Sequence, residues 1–125
     1  MWCISIILMI LAGIFNSMMD VLKTRYNTSI FVSCSNQTWI KPSLSWKNKW
    51  KNGDRNQGEK FFGSSTFLVW ITDLWHLSKM LMLICISAAI ISYTPIYRWW
   101  TDIFIMYLAF TIPFELFYSR IFIKN

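Results

Sequence analysis

The chain has a single histidine, His76, and only three cysteines, Cys3, Cys34 and Cys85, with no CxxC pair among them. Two of the cysteines fall inside apolar runs, so neither a zinc site nor a disulfide framework is indicated, and all three read as structural. There is no HExxH, no ExxH pair and no DxxD, and the four glycines form no phosphate-cradling loop. A Cys–His nucleophile is also excluded, because Cys85 stands nine residues beyond His76, about 13 Å along a helix axis. Charge is scarce as well. Charged residues make up 14% of the chain against 55% hydrophobic and 18% aromatic, a balance that soluble domains rarely show. Internal repeats and low-complexity tracts are absent.

What is present is a set of long apolar runs. Hydropathy and turn signals predict an all-α membrane protein with three transmembrane helices over about residues 2–20, 65–92 and 98–119 in one membrane domain, with a polar loop at 21–63. The first run has no basic n-region, and Asn16 and Asp20 stand where a small-residue cleavage site would lie, so it reads as a helix of the mature protein. Gly63-Ser64-Ser65-Thr66 supplies a turn and cap before the second run. Thr94-Pro95 breaks the chain before the third, and Pro113 should kink that helix near its end.

The basic residues are unevenly placed. Eight of the twelve lie between the first and second runs: Lys23, Arg25, Lys41, Lys47, Lys49, Lys51, Arg55 and Lys60. The short hairpin between the second and third runs holds only Arg98, while Arg120 and Lys124 follow the third. The positive-inside rule therefore predicts an N-out/C-in orientation with a basic cytoplasmic loop, in an inner or plasma membrane. Tyr93, Tyr97, Trp99 and Trp100 would form the outer aromatic belt. The triplets at Asn27 and Asn36 match the glycosylation acceptor pattern and would place the loop in a lumen, but such triplets are common by chance in a chain of this composition. Lys47, Lys49, Lys51, Arg55 and Lys60 read as contacts to anionic headgroups. Nucleic acid is not expected, since the patch is small and carries no stacking-platform signature.

A few polar residues interrupt the spans. On helical spacing Thr66, Val69, Asp73, His76, Met80, Leu83 and Ser87 share one face, Gly13, Asn16, Asp20 and Lys23 share another, and Thr101, Phe104, Leu108, Thr111 and Glu115 a third. Lys79 adds a further charge to the second run. A carboxylate or lysine at a helix centre costs about 2.5–3.5 kcal/mol, while each Leu, Ile or Phe returns only about 0.3–0.6. Asn16, Asp20, Asp73, His76, Lys79 and Glu115 are therefore expected either to pair across helices in the inner leaflet or, for the second run, to sit in the interface through tilt. The expected function is that of an accessory or interaction subunit without catalytic activity or cofactor, self-associating or docked on a larger membrane protein. One alternative is a proton or cation pathway through that cluster. Another is a metal-dependent membrane enzyme with Asp73 and His76 as ligands.

The stretches LAGIFNSMMDVLKTRYNTSIF, SWKNKWKNGD and GEKFFGSSTFLVWITDLWHLSKMLM resemble small uncharacterised polytopic integral membrane proteins, a likeness covering most of the chain. The resemblance implies a membrane location and no known activity, and it transfers no site residue.

Overall fold

The computed structural model describes residues 2–124, which fold as three long helices: α1 (Trp2–Thr24), α2 (Leu74–Ser92) and α3 (Trp99–Leu116). Short 3-10 and one-turn helices fill the segment between α1 and α2, and no strand is formed among the described residues beyond two isolated bridges. Each long helix is long and apolar enough to cross a membrane, over Cys3–Thr24, Leu74–Ser92 and Trp99–Ile121.

Local chemistry sets the helix ends, and it moves them from the expected positions. The second helix begins at Leu74, not near residue 65, because Asp73 caps it: the backbone there is extended, and the carboxylate accepts the His76 N–H at 2.8 Å. Residues 66–73 consequently lie outside the helix, as turns and a 3-10 segment at Val69–Ile71, so Thr66, Val69 and Asp73 do not continue the helical face of His76. Gly63 makes the preceding turn at φ +80°, where an added Cβ would meet the Phe67 ring at 2.7 Å. The first helix runs four residues past position 20 to Thr24, whose hydroxyl bonds the Asp20 carbonyl at 2.6 Å. In α3, Thr101 closes the first turn by exchanging bonds with the backbone of Arg98 (3.1 and 2.8 Å). The helix continues through Pro113 and then widens into a π-helical turn at Phe117–Ile121. Proline supplies no N–H to the α-helical ladder, so the bond lost at Pro113 is the one to the Ala109 carbonyl in the turn before it.

α1 is the central strut. It packs along both α2 and α3, while α2 and α3 hardly touch one another. Small residues make these contacts close. Gly13 faces the backbone of α3, where an added Cβ would lie 2.1 Å from the Phe110 carbonyl oxygen. Ser78 of α2 is buried and donates to the Met18 sulfur at 3.0 Å, and Ser17 turns its hydroxyl back to the Ile14 carbonyl at 2.6 Å. Small side chains let helix backbones approach where lipid provides no hydrophobic drive.

The main apolar cluster sits at one end of the helices, built from Val21, Leu22, Tyr26, Phe31 and Phe122. The segment 21–63 is therefore not simply a polar loop: its first residues are core. Ile30 donates its N–H to Phe122 (2.9 Å), Lys124 donates to Thr28 (2.8 Å), and the Phe31 and Phe122 rings lie 5.3 Å apart. Arg25 reaches Tyr118, with its guanidinium 5.2 Å from the ring centroid. The start of the long connection and the chain's last described residues thus share one end of the molecule, and the hairpin at residues 93–98 lies at the other.

Candidate functional site

Asp73 and His76 are brought together by the helix cap. The Asp73 side chain is almost wholly buried, and the His76 ring Nδ1 stands 2.9 and 2.8 Å from its two carboxylate oxygens. A carboxylate only accepts, so Nδ1 faces Asp73 as the donor, and among the described residues the other ring nitrogen makes no hydrogen bond. The Thr72 hydroxyl adds a contact at 3.3 Å. The pair lines a cleft of about 230 Å³ together with Lys23, Pro42, Ser45, Trp46 and Trp75. Ser45 is buried, but among the described residues no hydrogen bond joins its hydroxyl to His76.

The other expected members of the cluster are elsewhere. Among the described residues the side chains of Asn16, Asp20 and Glu115 make no hydrogen bond, and Asp73–His76 is the only ion pair within 4 Å. Lys79 is exposed and lies over the Trp75 ring at 5.6 Å, and Glu115 is exposed on α3. The expected convergence of three polar faces is not what the fold has: α3 approaches α1 at Phe110 against Gly13, and Glu115 is exposed. No three His, Cys, Asp or Glu residues among those described come close enough together to hold a metal ion. Asp73 and His76 could offer a metal two ligands.

Beside this cleft, across Trp46, lies a basic module. Backbone bonds Lys51 N–H to Gly58 (3.0 Å) and Lys60 N–H to Lys49 (2.9 Å) close residues 49–60 into a short hairpin. Lys49 and Arg55 both lie over the Trp50 ring, at 5.8 and 5.9 Å, and line a cleft of about 450 Å³ with Trp46, Trp50 and Ser65. The module's two carboxylates do not neutralise these cations. Asp54 accepts from the Asn56 N–H and the Gln57 amide (2.9 and 3.3 Å). Glu59 accepts from the Ser65 hydroxyl, the Gly63 N–H (3.1 Å) and the Ser65 N–H (3.3 Å). These bonds, the Ser65 hydroxyl first, hold the Glu59 carboxyl below the usual glutamate range. Among the described residues, Lys47, Lys49, Lys51, Arg55 and Lys60 have no carboxylate within ion-pair distance. Next to them Phe61, Phe62 and Phe67 project outward, Phe62 with 84% of its surface exposed.

Asp102 is the residue that sequence reasoning passed over. It is 2% exposed and collects the hairpin's donors: the Tyr93 hydroxyl, the Ile96 N–H at 3.0 Å and the Tyr97 N–H at 3.1 Å. The available signal was an acid in the first turn of a helix just after a Thr-Pro break, a position that favours negative charge and faces free loop amides.

Between α2 and α3 runs an apolar groove of about 290 Å³, floored by Met9 of α1 and walled by Ile86, Ala89, Ile90 and Tyr93 on one side and Met106 on the other.

Comparison of the chain with protein-family profiles, curated proteins and solved structures finds no match.

Proposed function

We propose that this protein is a multi-pass membrane interaction subunit without catalytic activity of its own. It lies N-out/C-in in an inner or plasma membrane, with the basic connection on the anionic, cytoplasmic face. The observation that carries this reading is the groove between α2 and α3. The two outer helices rest on α1 without closing on each other, leaving a Met-floored apolar trough of the kind a partner helix fills. The ten basic residues gathered at one end against Arg98 at the other support the orientation. The unneutralised Lys47, Lys49, Lys51, Arg55 and Lys60, beside the exposed phenylalanines, support docking of that end on anionic headgroups.

A proton or cation pathway is the second reading, and it rests on the Asp73–His76 pair. What weighs against it is that Asn16, Asp20 and Glu115 do not extend the pair into a chain of hydrogen bonds across the membrane.

Two measurements separate the readings. A photoreactive residue replacing Met106 in native membranes should give discrete adducts to protein, and adducts to lipid alone would contradict the interaction reading. Liposomes holding the purified chain should show no proton or cation leak above protein-free vesicles. A leak abolished by Asp73→Asn would replace the interaction reading with conduction.

A further inference from the structure

Two charges lie within the apolar spans, are exposed, and have no ion-pair partner among the described residues: Lys79 on α2, which lies over the Trp75 ring, and Glu115 on α3. Both sit toward the same end of the molecule. Lys79 is five residues after Leu74, and Glu115 is six residues before Ile121, so at 1.5 Å per residue each lies about 8 Å inside its helix. A lysine at that depth can extend its long stem to the headgroups, but the shorter glutamate has less reach. An unpaired carboxylate there is costly in lipid and calls for a cation at its own depth.

We infer that α2 of one copy packs against α3 of the next, pairing Lys79 with Glu115 between copies. This pairing rests on the interaction function above and adds to it a second surface, distinct from the Met9–Met106 groove, whose partner is a second copy of this chain. The start of α2 (Leu74, Trp75) and the turn that ends α3 (Phe117, Tyr118) pack on the same apolar cluster, so the two helices run in opposite directions against α1, and copies related by rotation about the membrane normal present α2 antiparallel to the neighbour's α3. In an antiparallel pair the residue numbers facing each other have a constant sum. With Lys79 opposite Glu115, Ser87 falls opposite Tyr107 and Ile90 opposite Phe104.

That register is sterically apt. The outer face of α2 carries a shallow groove of about 370 Å³, lined by Met80, Leu83, Ile84, Ser87, Ala88 and Ile91, with the small Ser87 and Ala88 as its gap. The outer face of α3 carries the opposite relief, with Phe104 and Tyr107 each about three-fifths exposed (61%). In the register the charges dictate, Tyr107 falls on the gap at Ser87, while Phe104 meets the exposed Ile90. The contact joins two different faces, so it is head-to-tail and builds a closed ring or an open array, not an isologous pair.

Charge exchange tests the pairing. The full-length chain would be reconstituted at low density in bilayers and its subunit number counted by single-molecule photobleaching. The wild type is expected to associate. Lys79→Glu and Glu115→Lys should each weaken association by about tenfold or more, through like charges set face to face. The double exchange Lys79→Glu with Glu115→Lys should restore it. In chains with Cys3, Cys34 and Cys85 replaced by alanine, Ser87→Cys with Tyr107→Cys should give an oxidised ladder between copies. A monomeric wild type would overturn the inference, as would single reversals that associate like the wild type, or a double exchange that keeps native helicity but stays dissociated. If the wild type is monomeric while position 106 still crosslinks to another protein, the self-pairing fails and the interaction function stands.

Discussion

Gly13→Ala sets two effects of opposite sign against each other. In an exposed helix interior the change stabilises by about 0.5–1 kcal/mol, since glycine loses more backbone entropy on folding than alanine. Here the new methyl would stand 2.1 Å from the Phe110 carbonyl oxygen, 3.0 Å from its carbon and 3.3 Å from its Cα, all backbone atoms. No rotamer change relieves contacts between two backbones, so α1 and α3 must separate by roughly an ångström to reach ordinary van der Waals distance. Because α3 has no other long helix to lean on, that separation loosens its whole attachment. Overpacking of this kind costs about 1–3 kcal/mol, and it should exceed the propensity gain. Reversible unfolding in mixed micelles, followed by circular dichroism, should show Gly13→Ala less stable than the wild type by about 1–2 kcal/mol. The variant should also show faster amide exchange in α3. Equal or greater stability would refute the close approach of the two backbones.

Three further outcomes follow from the caps and turns. Asp73→Ala should cost about 1–2 kcal/mol and speed exchange at the first turn of α2, whereas Asp73→Asn, still a good cap, should lose less; equal losses would remove capping as the main role. Asp102→Ala strands the Ile96 and Tyr97 amides and the Tyr93 hydroxyl, and should cost about 1–3 kcal/mol with increased proteolysis confined to the 93–98 hairpin; an unchanged hairpin would contradict the anchoring. The Glu59 carboxyl is held below its ordinary value, so its contribution is complete above the ordinary glutamate range and is lost as pH falls through the lowered value. Protection of the Gly63 and Ser65 amides should fall on acidification in the wild type and be insensitive to pH in Glu59→Gln, and pH-independent protection in the wild type would count against the turn.

The three spans were legible because length and hydropathy over about 20 residues suffice for a membrane helix, and the cap at Leu74 was not. The sequence from Thr66 to Ser92 reads as one apolar run, yet Asp73 competes for the backbone N–H of His76 and starts a new helix there. Hydropathy averages over that competition. The Asp73–His76 pairing was visible in the three-residue spacing, but its partners across helices were not, since they depend on which face each helix gives to α1. Facing was decided by Gly13, Ser17 and Ser78, whose small size matters more than their polarity. Asp102 escaped notice because its partners are backbone amides of a hairpin, which leave no side-chain pattern to read.

The most direct test of the central claim, that three helices cross a bilayer with the basic connection and the C-terminal residues on one side and the 93–98 hairpin on the other, is labelling of single cysteines in intact cells with a membrane-impermeant maleimide. With Cys3 and Cys85 replaced by alanine, the exposed Cys34 should react only after permeabilisation, as should Lys124→Cys in a chain also lacking Cys34. Tyr97→Cys in that same background should react from outside without permeabilisation. Labelling of positions 34 and 97 from the same side, or release of the chain from membranes by alkaline carbonate, would contradict it.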